Sequence, residues 1–298
     1  MPLPLRWQWK LNRWRERLAA LFRPAEKPSR PRLCPACSTL VGATASRCHE
    51  CGASLNFSLA AATRSLSGLI PSETPVTYFM LGLNVAMFAL SLMVTMRFTQ
   101  GFNLAGGIHP RVLMRLGACL PDIFQTSEYW RLVMPIFLHG NLWHFGFNAF
   151  VLLDIGPQVE AEYGSARYLF LYVITGIGAF LVSSWWGNFS IGASGSLMGL
   201  VGLMLAITYR RGGNYMRMLR AQLVRWIIYI FIFGLFFRAD HAGHLGGLAA
   251  GFLLGKIFAD REPMNAGERK RAYALGWFAA LIILASFGFM LKNYFTAG

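Results

Sequence analysis

Charged side chains are scarce in this sequence, at 14% of 298 residues, where a soluble globular chain carries roughly 25%. With 55% hydrophobic residues and a mean hydropathy of +0.44, that shortfall excludes an ordinary soluble domain and places most of the chain in lipid. Acidic residues are the rarer sign: 13 Asp and Glu stand against 28 Lys and Arg, a net charge of +15. No HExxH occurs, because the His49–Glu50 pair of CHEC lacks a second histidine, so the helix of a zinc metalloprotease is missing. Charges do not run along a crossing path, which a channel or transporter would need. No short apolar stretch with a small-residue cleavage site opens the chain, which argues against a cleaved leader.

What is present is a series of apolar runs. They predict spans near 76–96, 142–160, 167–185, 193–210, 222–237, 241–258 and 273–291. Several are short of the ~20 residues a crossing helix needs and are interrupted by glycine, which favours a compact bundle of tilted helices. Between the first two spans, YWRLVMPIFLHGN is broken by Pro135 and Gly140 and reads as a loop or short helix dipping into one half of the bilayer. Basic residues set the orientation. Eleven precede residue 76, five follow the fourth span (Arg210, Arg211, Arg217, Arg220 and Arg225), and five follow the sixth. With Arg167 they put 22 of the 28 on one side. By the positive-inside rule the N-terminus is cytoplasmic and the C-terminus faces out.

The first 30 residues are basic and carry Trp7, Trp14, Leu18 and Leu21 at near-helical spacing. They read either as an amphipathic helix on an anionic surface or as an unstructured basic tail. Four of the five cysteines form two C-x-x-C knuckles, Cys34 with Cys37 and Cys48 with Cys51. Two such knuckles close one tetrahedral Zn²⁺ site of four thiolates, a small zinc ribbon; two disulfides are the competing pairing. So short a segment buries no core, so the metal would supply most of its folding energy. A cytosolic protein partner fits such a module, and nothing flanking it resembles a nucleic-acid reading surface. Cys119 stands alone and reads as structural.

Orientation brings the polar intramembrane residues to one depth. Ser194 of GASG opens the fourth span, His241 and His244 of HAGHLGG open the sixth, and His144 and Asn148 of HFGFN share a face near the start of the second. All three spans run inward, so these groups lie at the outer end. Unsatisfied polar groups are costly in hydrocarbon and mark function there. A serine needs a base, for which His244 is suited, and attack on an amide builds an oxyanion that wants donors from His144, Asn148 and the Ser194 amide. The position at a helix N-terminus favours the same negative charge. Gly195, Gly199 and Gly202, with Gly243, Gly247 and Gly251, read as a packing seam that holds Ser194 near His244. Met198 lies one turn below Ser194, placed to pack under the imidazole. Asp240 either orients His244 as in a triad or faces outer water, and His139 either joins the oxyanion network or stabilises the dipping loop. A metal site of His139, His144, Asp240, His241 and His244 is the competing chemistry.

These motifs are similar to those of the rhomboid family of intramembrane serine proteases over residues 75–260. The resemblance is carried by YWRLVMPIFLHGNLWH with HFGFN, then IGPQVEAEYGS, GASGSLMGL and HAGHLGGLAAG. It implies that Ser194 is the nucleophile, His244 the base, and His144 with Asn148 the oxyanion pair. Trp130–Arg131 matches the tryptophan-arginine motif of the first external loop, and Glu160 the acidic position after the second span. It also implies catalysis without a metal or other cofactor, in a water-filled cavity, on transmembrane protein substrates cut in or beside their spans. Two positions depart from the pattern: Gly243, where alanine is common, and Met198, where an aromatic is common.

The expected fold is an all-α polytopic membrane protein, a rhomboid-like six-helix core with a seventh C-terminal transmembrane helix and a small N-terminal zinc ribbon. The expected boundaries are 1–30 for the basic tail, 31–56 for the ribbon, 57–75 for a linker, 76–260 for the catalytic core, and 261–298 for a loop and the last span. A bacterial inner membrane is the expected location. SWWGNFS and the fifth span are the expected lid and lateral gate, and a catalytically silent, client-binding relative of the same fold is the alternative function.

Overall fold

The computed structural model describes residues 32–34, 39–42, 45–52, 73–99, 107–121, 123–237, 239–258 and 260–296, with the side chains at 32, 33, 233, 236 and 237 excepted. The basic tail, Cys37 and most of the linker lie outside them. The chain divides into two compact units, 1–69 and 70–298.

In the first unit a two-stranded antiparallel hairpin pairs β1 (Arg32–Leu33) with β2 (Leu40–Val41), Arg32 opposite Val41. Its small core is Cys34, Val41 and Cys48, all buried. The thiol sulfurs of Cys34, Cys48 and Cys51 lie within 4.8 Å of one another.

The second unit is helical: α1 (Pro75–Thr99), α2 (Pro110–Arg115), α3 (Ile123–Thr126), α4 (Leu142–Tyr163), α5 (Ser165–Trp185), α6 (Ser194–Arg211), α7 (Gly213–Phe237), α8 (His241–Ile257) and α9 (Ala266–Thr296). Three of them, α1, α5 and α9, are long and apolar enough to cross a membrane on length and composition alone. The predicted spans at α6 and α8 are only 18 and 17 residues long, and both are rich in glycine. The predicted loop after the fourth span needs correction. Helix α7 begins at Gly213, nine residues before the expected 222, so Arg217, Arg220 and Arg225 are helical. The physical reason is local: MRMLRAQL is composed of strong helix formers, and the guanidinium of Arg220 lies over the Tyr209 ring, 3.9 Å from its centroid. The segment between α3 and α4 is two 3-10 turns, Tyr129–Leu132 and Met134–Phe137.

Helix α6 is the centre of the bundle, with α4, α5, α7 and α8 packed around it. Its approach to α8 is set by absent side chains. A methyl placed on Gly247 would collide with the carbonyl of Gly195, and one on Gly251 with that of Gly199. The two backbones touch, the close approach that small residues permit.

Glu160 fastens the other end. Its buried carboxylate accepts hydrogen bonds from Val76 N (2.9 Å), Thr77 N (2.8 Å), Thr77 Oγ1 (2.7 Å) and Ser165 Oγ (2.7 Å). Those donors include free N–H groups of the first turn of α1, where a negative charge is stabilising. One carboxylate so joins α1, α4 and α5. Beyond it, Gly164 at φ +78° ends α4. At the opposite end Arg131, 5% exposed, donates to Glu128 Oε2 (2.7 Å), Met114 O (2.7 Å) and Ala118 O (3.3 Å), pinning the loop that joins α1 to α4.

Candidate active site

Ser194 is the first residue of α6, and no side chain caps that helix. Its N-terminal N–H groups therefore face outward, unpaired by the helix itself. The loop before it is stitched to the segment between α2 and α4. Cys119 and Ser190 exchange backbone bonds (3.0 and 3.1 Å), and Gly192 N donates to Pro135 O (2.8 Å). Gly192, at φ +115°, faces His144 closely: a Cβ there would lie 2.6 Å from the imidazole Nε2.

Helix α8 begins at His241, and Asp240 caps it, Oδ1 accepting from Gly243 N at 3.0 Å. The same oxygen accepts from Asn188 Nδ2 at 2.7 Å. Asp240 therefore couples the loop leading to Ser194 with the helix carrying His244. No hydrogen bond joins it to the His244 ring, whose Nδ1 has no partner among the described residues. Absence of a methyl at Gly243 leaves room for this cap, since a Cβ would come within 2.5 Å of Asp240 Oδ2.

His244 Nε2 lies 2.8 Å from Ser194 Oγ, and His244 is 4% exposed. Around this pair a cavity of 280 Å³ is lined by Ser194, His244, His144, Asn148, Asp240 and Phe189, among others. His144 Nδ1 accepts a long bond from Gly140 N (3.4 Å). That role leaves Nε2 to carry the proton and act as a donor. Asn148 donates one Nδ2 hydrogen to His144 O (2.8 Å), which leaves its second N–H available.

His139 is fully buried and packs edge-on to His144 with ring centroids 5.2 Å apart. His241 stacks on Phe231 at 5.1 Å, and Phe231 also meets His244 edge-on at 6.1 Å. The aromatic neighbour of the base therefore comes from α7, a residue the sequence reading did not single out; Met198 is fully buried in α6. The five residues of the competing metal reading do not converge: among the described residues the grouping that could hold a metal ion is Cys34, Cys48 and Cys51. Cys34 Sγ and Cys51 Sγ are 3.6 Å apart, close to the ~3.8 Å separation of thiolates bound ~2.3 Å from one tetrahedral zinc. The residues present fit that metal.

On the side of the cavity flanked by α4 and α7, Trp226 Nε1 donates to Asp154 Oδ2 at 2.9 Å, and its ring packs against Phe150 with centroids 5.8 Å apart. Phe189 and the adjacent Trp185 and Trp186 are exposed at the cavity end.

Helices of this composition, packed around a cavity that carries a few polar groups on its wall, make the chain an all-α polytopic membrane protein. Residues 126–261 match the Rhomboid domain. Over 203 residues, 67% of this chain, the sequence is 30% identical to rhomboid protease GluP of Bacillus subtilis (strain 168), covering 39% of that protein. It is 38% identical over 151 residues to RHOMBOID-like protein 5 of Arabidopsis thaliana, 49% of each chain. It is 31% identical over 156 residues to rhomboid-like protease 1 of Toxoplasma gondii, 49% of this chain and 53% of that one. The chain thus spans about half the length, or less, of these relatives. Together the domain and the relatives support the rhomboid family, and their names support a protease.

Proposed function

We propose that this protein is an intramembrane serine endopeptidase that hydrolyses peptide bonds in or beside transmembrane segments of other proteins. The observation that carries the reading is the 2.8 Å contact between Ser194 Oγ and His244 Nε2 at the wall of a cavity shared with His144 and Asn148. In this mechanism Ser194 Oγ attacks the scissile carbonyl carbon as its proton passes to His244 Nε2. The carbonyl oxygen becomes an oxyanion, stabilised by the Ser194 N–H, the His144 Nε2–H and the second Asn148 N–H. Collapse breaks the C–N bond, and His244 returns its proton to the departing amine. Water then attacks the acyl-enzyme ester with His244 again as base, releasing the acid and restoring Ser194. The protonated imidazole has no carboxylate on Nδ1, so the machinery is a dyad, with Asp240 acting on helix position. A substrate helix shields its amides by its own hydrogen bonds, so local unwinding precedes attack.

The N-terminal unit is assigned a structural Zn²⁺ held by Cys34, Cys48 and Cys51, with Cys37 as fourth ligand. The ion would supply folding energy to a segment with almost no core, and a cytosolic protein is its proposed partner. The charge distribution supports a cytoplasmic N-terminus and a cavity opening on the outer face of a bacterial inner membrane.

The test is cleavage of a single-span substrate protein in liposomes, with a fluorophosphonate probe in parallel. Wild type should cleave and label, and Ser194→Ala and His244→Ala should do neither. Folded wild type that does neither would refute the protease reading in favour of a client-binding protein.

A further inference from the structure

A second cavity lies away from the dyad. It is a groove of 710 Å³ between the last turns of α1 and α9, with Leu90, Val94 and Arg97 on one wall, Tyr294 and Phe295 on the other and Met290 at its floor. Met290 and the adjoining Leu116 are almost fully buried, at 2% and 1% exposed, whereas Phe295 and Met93 are exposed, so the groove has a buried floor and an open side. Its size falls within the ~300–1,000 Å³ typical of ligand sites.

One cation, Arg97, lines the groove, and three more stand close in the chain to residues that line it. Arg115 directly precedes Leu116, and Asn293 Nδ2 donates to Arg115 O at 3.0 Å, which fixes the end of α2 against the last turns of α9. Lys292 stands in the same turn of α9 as the lining residues, and Arg111 is one turn before Arg115. The ring of Phe98 meets His109, the cap of α2, at 4.7 Å, closing α2 onto α1. All four cations are exposed, and none forms an ion pair with a described residue. An apolar groove lined by Arg97 and flanked by three more basic residues, none of them ion-paired among the described residues, matches one amphiphile: a chain of hydrocarbon ending in a phosphate.

We propose that this groove binds one acyl chain of an anionic phospholipid, with the headgroup phosphate held among Arg97, Arg111, Arg115 and Lys292. The aliphatic stem of Arg97 lies along the apolar wall, and long basic side chains of this kind carry their charged heads to headgroup depth. A zwitterionic lipid carries its own cation beside the phosphate and gains less from the cluster. Both walls of the groove lie outside residues 126–261, the stretch that matches the Rhomboid domain. The proposal is independent of the protease reading.

The test uses the full chain in phosphatidylcholine nanodiscs, doped with phosphatidylglycerol bearing a diazirine at mid-chain. Crosslinks are mapped by mass spectrometry, and fold is checked by thermal unfolding. Adducts should concentrate on residues 90–97 and 290–295. Each cation removed should lower them about five-fold, the effect of roughly 1 kcal/mol per basic residue near a membrane surface. Arg97→Gln and the Arg97→Gln/Arg115→Gln/Lys292→Gln variant are suited because these exposed side chains bear little on folding. Val94→Trp, which fills the groove, should abolish the adducts. A diazirine phosphatidylcholine should label the same residues several-fold less, and excess glycerol phosphate should not compete. Equal labelling by the two lipids, adducts spread over outward positions such as Trp277 and Leu284, an unaffected triple variant, or displacement by glycerol phosphate alone would each overturn the proposal.

Discussion

Asn188 and Asp240 are 52 residues apart in sequence and 2.7 Å apart in space. The bond joins the loop that delivers Ser194 to the cap of the helix that delivers His244. Asn188→Ala should lower kcat roughly five-fold with little change in KM, the weight of about 1 kcal/mol for one hydrogen bond that holds geometry. Asn188→Asp should be worse, because it sets two carboxylates against each other. Steady-state cleavage kinetics check both; a change confined to KM would assign Asn188 to substrate binding instead.

Trp226 and Asp154 form the polar contact between α7 and α4. Trp226→Phe keeps a ring against Phe150 and deletes the indole N–H. Cleavage of a transmembrane substrate should rise several-fold while labelling by the small fluorophosphonate is unchanged, since only the larger molecule needs the helices to part. Unchanged cleavage in Trp226→Phe and Trp226→Ala would remove α7 from the route of access. Phe233, the other candidate of the sequence reading, has a side chain outside the described residues.

The backbone contact of α6 with α8 makes Gly251 intolerant of any larger residue. Gly251→Val should destabilise the protein by about 1–3 kcal/mol or more, as overpacking does, and abolish Ser194 labelling. Thermal unfolding in detergent measures the first effect. A variant of wild-type stability would mean that the helices separate without penalty.

Burial pushes the Cys119 thiol up to about 12, with the charge of Asp240 adding to the effect. At pH 8 only about one molecule in 10⁴ is then a thiolate, the form that reacts. Maleimide should leave Cys119 untouched in the folded protein and modify it fully in denaturant. The folded state favours the neutral thiol, so this contribution to stability is complete below pH 9 and declines as the pH rises toward 12. Rapid labelling of folded protein would contradict the buried placement.

Zinc content is measured directly by elemental analysis. The wild type should carry about one zinc per chain, and Cys48→Ser should lose it with no loss of fluorophosphonate labelling. A zinc-free wild type would refute the metal assignment.

These residues also show what a sequence can convey. Ser194, His244, His144 and Asn148 were legible because lipid makes each polar group conspicuous, and charge asymmetry put them at one end; the structure gathers them around one cavity. The glycine rows were legible because their spacing is that of one helical face. Asn188 and Phe231 were not. Asn188 sits in a turn where any polar residue passes as solvated, and Phe231 is one of many aromatics in an apolar helix. The role of Asn188 arises only when segments 52 residues apart meet, and that of Phe231 only when α7 folds back against α8. The early start of α7 is hidden in the sequence by its basic residues, which pass for a loop although arginine is a good helix former.

Glu160 has a mechanical consequence. It binds α1, α4 and α5 together 16 residues beyond His144 along α4, roughly 24 Å away at 1.5 Å per residue, so the bundle is tied at the end remote from the cavity. Motion at the cavity end then has a pivot. A tilt of only ~5° about this knot displaces the far end of such a helix by ~2 Å, comparable to the length of a hydrogen bond's closest approach. A rotation at one carboxylate is thus magnified along the helix, and a shift of ~2 Å at the far end is enough to make or break a hydrogen bond.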